Sequence, residues 1–206
     1  MNIKFILVFL LAAAGFSACK KNDFPHQDDF ERSYKAWLAF KASSGNSYRY
    51  EVPGYTWAGS SWLTTVTVRE GKVVQRDFVY TVFNDVIMPE NGWTAAEADK
   101  LLEPLNMTAE TFLEREGYPF LEALQWTETA EDLGTKSRDY SSASALYTLD
   151  DIYDKARTEW LKNRSDASIS FEANNNGLIS SAGFIPNGCM DDCFMGIHIR
   201  SIEALE

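Results

Sequence analysis

The N-terminal segment constrains this chain most, because it decides which part of the sequence folds and in which compartment. Lys4 is the only charged residue before an unbroken apolar run, Phe5 to Ala14, and the small residues Ser17 and Ala18 follow. A charged start, an apolar run and small residues in this order are typical of a secretory signal peptide. The run is about half as long as a membrane-spanning helix. We therefore expect residues 1–18 to be removed.

Cys19 follows this segment directly. The order Ser17-Ala18-Cys19 resembles the lipobox of bacterial lipoproteins, although Phe16 stands where that motif usually has leucine. The resemblance implies that Cys19 is acylated and becomes the N-terminus, and that the protein is attached to a membrane of the cell envelope, most often the outer membrane, by lipid alone. Several acyl chains hold a protein firmly, whereas one binds marginally. The alternative is an ordinary signal peptide with an incidental cysteine.

The charge of the chain excludes some partners. Removing residues 1–18 takes away one cation, Lys4, so the formal net charge changes from −11 to −12. Such a surface repels nucleic acid and anionic lipid headgroups, and we expect neither as a partner of the domain. Apolar residues make up 45% and aromatic residues 14% of the sequence, enough to bury a core. We expect a short tether over 19–27 and one domain over 28–206.

Two cysteines remain once Cys19 is assigned to lipid. Cys189 and Cys193 enclose a short loop and can form a disulfide in an oxidising compartment, unless they are plain buried thiols. A metal site with His198 is the rival, but it needs a fourth ligand, and the other histidine, His26, lies in the tether. The sequence predicts no metal and no cofactor.

The first third of the domain predicts a helix and a long hairpin. Apolar residues recur at helical spacing after a cap at Asp28 or Asp29, namely Phe30, Tyr34, Trp37 and Leu38. Tyr48 to Val52 alternates as a strand does, and Pro53-Gly54 is expected to break it. A loop over 54–61 is then predicted to lead into two paired strands, 62–68 and 74–82.

The rest of the domain predicts an insertion, a second helix and more strands. The insertion covers residues 85–147 and contains two or three short helices, one of them capped by Thr94 and Glu97. Thr148 opens the clearest helix, which has one apolar stripe and is expected to end at Ser165-Asp166. Further strands follow, at 169–172, 178–185 and 194–202.

These elements indicate an α+β fold with one antiparallel sheet of about six strands and two main helices. Helix, strand and hairpin occur in the same order in both halves of the chain, which fits either a degenerate αβββ repeat or a chance recurrence of a common order. The pattern over residues 30–83 and 147–202 resembles a family of bacterial secreted and lipoprotein domains of unknown function. That resemblance implies an extracytoplasmic module and brings no catalytic residues.

Motifs for common enzyme chemistry are absent from the sequence. There is no Gly-x-Ser-x-Gly elbow, no P-loop and no dinucleotide-binding glycine fingerprint. His198 lies between Ile197 and Ile199, so it is expected on the opposite face of an ordinary strand. Paired carboxylates remain as a third hypothesis, a hydrolase, for which the candidates are Glu128 with Glu131 or Asp132, and Asp191 with Asp192. In so acidic a chain the solvated-surface interpretation of these pairs is favoured.

The loop after the first strand holds the candidate ligand-binding residues, Tyr55, Trp57 and Trp62. Aromatic rings on a loop can contact a sugar ring or another protein, or they can fold back over the sheet as a lid on the core. The leading hypothesis is a non-enzymatic, lipid-anchored envelope protein that binds or scaffolds a partner. The alternative is a glycan-binding accessory lipoprotein that uses this aromatic loop.

Overall fold

The computed structural model describes residues 23–136, 142–191 and 193–206, and Cys19 therefore lies outside the described residues. Within these ranges the helices are α1 Gln27–Ser43, α2 Ala95–Leu102, α3 Ala109–Glu116, α4 Phe120–Leu124 and α5 Leu149–Lys155, with a 3-10 turn Glu103–Leu105 after α2 and a π-helical turn Ala156–Trp160 after α5. The strands are β1 Tyr48–Thr56, β2 Ser60–Arg69, β3 Lys72–Phe83, β4 Val86–Ile87, β5 Gln125–Thr129, β6 Ala167–Glu172, β7 Ser181–Pro186, β8 Met195–His198 and β9 Ser201–Ala204. The predicted α+β class is confirmed. Among the described helices, none has the length and apolar character that crossing a membrane requires.

The larger sheet has six antiparallel strands, as predicted. Its order is β4-β3-β2-β1-β9, and β5 pairs with β3 beside β4. β1, β2 and β3 form a meander, while β9 returns to β1 from far along the sequence. The side chains of β1 alternate strictly at its start, with Tyr48 and Tyr50 fully buried and Arg49 exposed. One face of this sheet, the inner face, therefore covers the core.

The first three strands after α5 form a second sheet, in the order β6-β7-β8. Helix and three strands do recur in that order, but these strands do not enter a sheet shared with the first half, as the repeat hypothesis supposed. The predicted last strand is also divided in two. The N–H of Ile199 donates to Ser180 in the small sheet, and the N–H of the next residue, Arg200, donates to Glu51 in the large one, both at 2.8 Å. The chain passes between the sheets at this point, so β8 and β9 are separate strands.

The main core lies where α1 and α5 pack against the two sheets. Its largest side chains include Phe30, Trp37, Tyr48, Tyr50, Ile152, Tyr153 and Trp160. Tyr153 links three segments, because its hydroxyl contacts Ser33 Oγ on α1 at 2.7 Å and accepts from the N–H of Ile179 at 3.0 Å. Burial raises the pKa of this phenol, so the hydroxyl stays neutral and available for both bonds.

The helical boundaries depart from the sequence pattern in two places. α1 begins one residue before the predicted caps, with His26 preceding it and Asp28 and Asp29 in its first turn, where the helix dipole favours acids. The second main helix keeps its predicted capping box at Thr148 and Asp151 but ends in a π-helical turn at Trp160, short of Ser165. That turn sets Trp160 and Leu161 into the core together, at 6% and 0% exposure.

A second, smaller core joins α2, α3 and α4 to β3. Its buried residues are Trp93, Ala98, Leu102, Phe112, Phe120 and Leu124. The indole N–H of Trp93 donates to the carbonyl of Tyr80 at 2.7 Å, which fixes the start of this helical segment to the sheet. The predicted capping box of Thr94 and Glu97 is present in α2. Residues 86–129 therefore form a helical layer that begins and ends on strands of the large sheet.

Candidate binding surface at the end of the large sheet

The predicted aromatic loop is a tight hairpin turn. β1 continues to Thr56 and pairs there with Ser60, so only Trp57, Ala58 and Gly59 lie between the two strands. Gly59 has a φ of 79°, the left-handed conformation that a short turn of this kind requires and that glycine adopts without strain. The turn therefore presents its aromatic side chains on a rigid scaffold.

Pro53 does not break β1, contrary to the sequence-based expectation. The carbonyl of Glu51 faces β9, since it accepts from the N–H of Arg200. Residues two apart in a strand face the same side, so the nitrogen of Pro53 points to that side as well. β9 pairs with β1 only as far as Glu51. Pro53 thus lies on a free edge, where no hydrogen-bond donor is needed.

Trp62 lies on the inner face of the hairpin and belongs to the sheet's packing. It pairs with Gly54 across the hairpin and packs edge-on against Tyr80, with ring centroids 5.9 Å apart. A Cβ atom on Gly54 would overlap the Trp62 indole. The glycine is therefore required by the ring that covers it, and Trp62 behaves as the predicted lid.

Tyr55 and Trp57 point away from the core. Their exposed fractions are 74% and 80%, in a chain whose Trp37, Trp93 and Trp160 are at most 6% exposed. Tyr55 begins a cross-strand row on the outer face of the sheet, in which successive partners are Ser61, Val82 and Ile87. Directly paired residues share a face. We call Tyr55, Trp57 and Ile87, which is 74% exposed, the aromatic tip.

A second turn supports the aromatic tip from the side. The N–H of Asp85, between β3 and β4, donates to the carbonyl of Gly59 at 2.8 Å. The backbone N–H of Asn84 donates to Ser60 Oγ at 3.0 Å. These bonds join the two turns into one end of the sheet, so Trp57 in the first turn and Ile87 on β4, directly after the second turn, are held at the same end.

The outer face next to the tip carries a shallow cleft of about 340 Å³. Its lining mixes polar and apolar side chains from β2, β3 and β5, among them Leu63, Thr65, Asp77, Gln125 and Thr127. The hydroxyl of Thr127 donates to Asp77 Oδ1 at 2.6 Å, and the amide of Gln75 donates to both oxygens of the same carboxylate. Asp77 is thereby oriented on the outer face of the sheet.

No family model, curated protein or solved structure matches this chain.

Of the paired carboxylates considered for catalysis, Glu128 is buried rather than on the surface. It is 0% exposed and forms an ion pair with Arg76, Nη2 to Oε2, at 2.7 Å. Burial alone would raise the pKa of Glu128, but hydrogen bonds from the amides of Gly134 and Lys136 and from the Arg76 guanidinium outweigh it and lower the pKa. The carboxylate is held ionised and fully engaged inside the fold.

The other acidic candidates lie elsewhere. Glu131 is exposed, and Asp132 accepts from the backbone N–H and the hydroxyl of Thr129, bonds that lower its pKa. Asp191 is exposed, and Asp192 lies outside the described residues. His198 is exposed on the face opposite Ile197 and Ile199, as predicted, and its ring stacks on Phe194 at 4.1 Å. Partial burial lowers the pKa of this imidazole.

Cys189 and Cys193 form the predicted disulfide, with their Cα atoms 6.3 Å apart. Among the residues that the structure describes, there is no group of three or more histidine, cysteine, aspartate or glutamate side chains that could hold a metal ion. The disulfide closes the connection between β7 and β8, whose Asn187 N–H donates to the carbonyl of Asp166, just before β6, at 2.7 Å.

The role of Arg76 was not among the sequence-based predictions. The signal was present, because Arg76 lies in phase with Val74, Phe78 and Tyr80, the alternation that marks the buried face of β3. A charged residue in phase with a buried face needs a partner of opposite charge. β5 supplies it, since Glu128 is the direct cross-strand partner of Arg76.

Proposed function

We propose that this chain is a non-enzymatic binding protein of the cell envelope, anchored by lipid on Cys19, that contacts a partner protein through the aromatic tip. The exposure of Trp57 carries this proposal. Trp57 is 80% exposed in a fold that buries Trp37, Trp93 and Trp160 almost completely. Tryptophan and tyrosine are enriched at protein interfaces, where they account for much of the binding energy.

The surroundings of Trp57 support a binding role. Tyr55 and Ile87 are exposed at the two ends of one cross-strand row, with Ser61 and Val82 between them, and two hydrogen-bonded turns hold this end of the sheet in place. A surface that is rigid before binding loses little conformational entropy on binding. Apolar side chains next to the rings favour a protein partner, because a protein can cover them with apolar surface of its own.

The anchoring part of the proposal is tested by replacing the acceptor. Cys19→Ala abolishes acyl labelling and leaves the protein soluble or unprocessed. The double variant Cys189→Ser/Cys193→Ser is the matched control, since it removes the chain's other two cysteines and keeps labelling and membrane fractionation unchanged. Membrane association and acyl labelling that persist in Cys19→Ala would disprove lipid anchoring.

The tip is tested by capture of envelope proteins with cross-linking in intact cells. Tyr55→Ser/Trp57→Ser removes two exposed rings and is expected to abolish the cross-linked species without lowering thermal stability. Leu38→Ser/Leu105→Ser is the matched control, since these leucines are 46% and 55% exposed and lie on α1 and the 3-10 turn. Equal capture by wild type and tip variant would show that the partner binds elsewhere.

Glycan binding is the second candidate function, and the outer-face cleft favours it. A sugar site combines an aromatic face with hydrogen-bonding side chains. The outer-face cleft offers Asp77, Thr65 and Gln125, and Trp57 is an exposed ring at the hairpin end of the same sheet. Retention on insoluble cell-wall glycan separates the two functions. Glycan binding is lost in both Trp57→Ser and Asp77→Ala, whereas binding of a protein at the tip is lost only in Trp57→Ser.

A further inference from the structure

A cleft of about 530 Å³ lies between the N-terminal half of α1 and the end of the π-helical turn. Its floor is aromatic, because Phe30 is buried and Phe24 and Tyr34 are half-buried. Three cations line it as well, namely Lys35, Arg157 and Lys162. In a chain with a formal net charge of −11, this local concentration of positive charge opposes the overall sign.

The guanidinium of Arg157 is positioned by the aromatic floor. Its central carbon lies 4.8 Å from the ring centroid of Tyr34 and 5.2 Å from that of Phe30. Stacking of this kind holds the guanidinium while its N–H groups remain able to donate. Within the described part of the chain, Arg157, Lys35 and Lys162 form neither an ion pair nor a side-chain hydrogen bond.

Two carboxylates, Asp23 and Glu31, also line the cleft. Glu31 is already engaged, since it accepts from the side-chain amide of Gln27 at 3.1 Å. The three cations therefore outnumber the two carboxylates in the cleft. Within the described residues, the N–H groups of the Arg157 guanidinium have no side-chain hydrogen-bond partner and can donate to an oxygen ligand. A fixed guanidinium beside two ammonium groups is suited to phosphate oxygens, which form strong charge-assisted bonds with such donors.

The cleft lies close to the proposed anchor. Only four peptide steps separate Cys19 from Asp23, and they include two further cations, Lys20 and Lys21. Four fully extended steps span at most about 14 Å. Acyl groups on Cys19 would therefore hold this cleft at the surface of the bilayer.

The net charge of the chain argues against anionic headgroups as a partner, but the cations of this cleft are a local exception. We propose that this cleft binds the phosphate of a phospholipid headgroup and thereby orients the domain on the membrane. The inference rests on the lipid anchor proposed above. The acidic remainder of the domain is repelled by an anionic surface, so the cationic cleft is the side that faces the bilayer. The domain then presents one fixed side to the headgroups, independently of any partner at the aromatic tip.

The test measures sedimentation of the mature chain, residues 19–206 with Cys19→Ser, with phosphatidylglycerol vesicles at low salt. The serine removes the acyl groups, so binding reports the protein surface alone. The cleft variant replaces all three cations, Lys35→Gln/Arg157→Gln/Lys162→Gln, and should partition into the vesicles on the order of 100-fold less. The matched control removes three exposed cations elsewhere, Arg69→Gln/Lys72→Gln/Lys100→Gln, and should bind like wild type.

The outcomes separate the sources of the effect. An equal loss in the control variant would show that net charge alone matters and would overturn the proposal. Binding of inorganic phosphate in the cleft without binding to vesicles would also overturn it, because the ligand would then be free phosphate. Acyl labelling of Cys19 is measured separately, so absent labelling with intact vesicle binding rejects the anchor and keeps the headgroup site. Unchanged thermal unfolding of both variants excludes loss of fold as the cause.

Discussion

Arg76 and Glu128 form an ion pair sealed inside the protein, with side chains 3% and 0% exposed. Arg76 donates through both Nε and Nη2 to one oxygen of Glu128, and through Nη1 to the carbonyl of Ser144 at 2.9 Å. The other carboxylate oxygen accepts from the N–H of Lys136 at 2.7 Å. The pair therefore fastens the segments on either side of residues 137–141 to the inner face of the sheet.

Breaking this pair should destabilise the fold strongly. Glu128→Ala leaves the Arg76 charge buried without its partner, and we expect a loss of about 3–5 kcal/mol in the free energy of unfolding. The double variant Arg76→Met/Glu128→Leu removes both charges and should be clearly more stable than Glu128→Ala. Urea denaturation measures both. A single variant as stable as wild type would show that the pair is dispensable.

The same carboxylate predicts a dependence on pH. The pKa of Glu128 in the fold lies below the ordinary value of 4.5, so its ionised form is stabilised by folding. That contribution is complete above pH 4.5 and is lost as the pH falls through the lower, folded pKa. The slope of the free energy of unfolding against pH below 4.5 should therefore be smaller in Glu128→Gln. An unchanged slope would assign the acid sensitivity to other groups, such as Glu51, whose pKa is also lowered.

Gly54 should not tolerate a side chain. Gly54→Ala places a methyl group into the Trp62 ring, and overpacking of this kind costs about 1–3 kcal/mol. The double variant Gly54→Ala/Trp62→Leu removes the overlapping ring. Its loss of stability should therefore be smaller than the sum of the losses in the two single variants. A double-mutant cycle from thermal or urea unfolding measures this coupling. Strict additivity would show that the ring does not depend on the glycine.

Trp160 should matter for stability far more than Lys155, which lies five residues earlier in the chain. Trp160→Ala empties a buried site and is expected to cost about 3–5 kcal/mol. Lys155 pairs with Glu159 at 2.8 Å, and its ammonium lies over the rings of Tyr147 and Trp160. Contacts of a half-exposed cation are weak, so Lys155→Ala should cost far less than Trp160→Ala. Denaturation midpoints of the two variants test this directly. Small effects from both would mean that the π-helical turn contributes little to the core.

The disulfide should be visible by mass. The peptide that contains Cys189 and Cys193 should be two hydrogens lighter without reductant than with it. Because the closed loop is short, Cys189→Ser/Cys193→Ser should lower stability by about 2 kcal/mol, the lower end of the usual range. Rapid alkylation of both thiols without reductant would rule out the bond, and release of stoichiometric zinc on alkylation would support a metal site.

Local periodicity predicted much of the fold, because burial acts directly on neighbouring residues. Tyr48 and Tyr50, Trp37 and the capping boxes at Thr94 and Thr148 all lie as their patterns indicate. The predicted break at Pro53 was wrong. Proline breaks a strand only where a neighbouring strand requires a backbone N–H donor at that position, and the neighbour here, β9, lies about 150 residues away in sequence. The division of the last strand at Ile199 depends in the same way on distant partners.

The candidate surface could be predicted only in part. Tyr55, Trp57 and Trp62 belong to one short stretch, but strand alternation sends Trp62 inward and Tyr55 outward. Ile87 belongs to the aromatic tip because β4 pairs with β3, and no local sequence pattern predicts that pairing. Cys19 lies outside the described residues, and lipid attachment there stays a prediction.

The pairing of β1 with β9 ties the order of folding to the order of synthesis. Tyr48 pairs with Ala204, and the main core takes side chains from Phe30 through to Ile199. A chain that leaves a ribosome or a secretion channel N-terminus first cannot complete this sheet until residue 204 has also left it. Contacts between such distant residues slow folding, which leaves time for an exported chain to be threaded across a membrane while still extended. If the chain is exported as proposed, the strand that delays folding would also keep it competent for export.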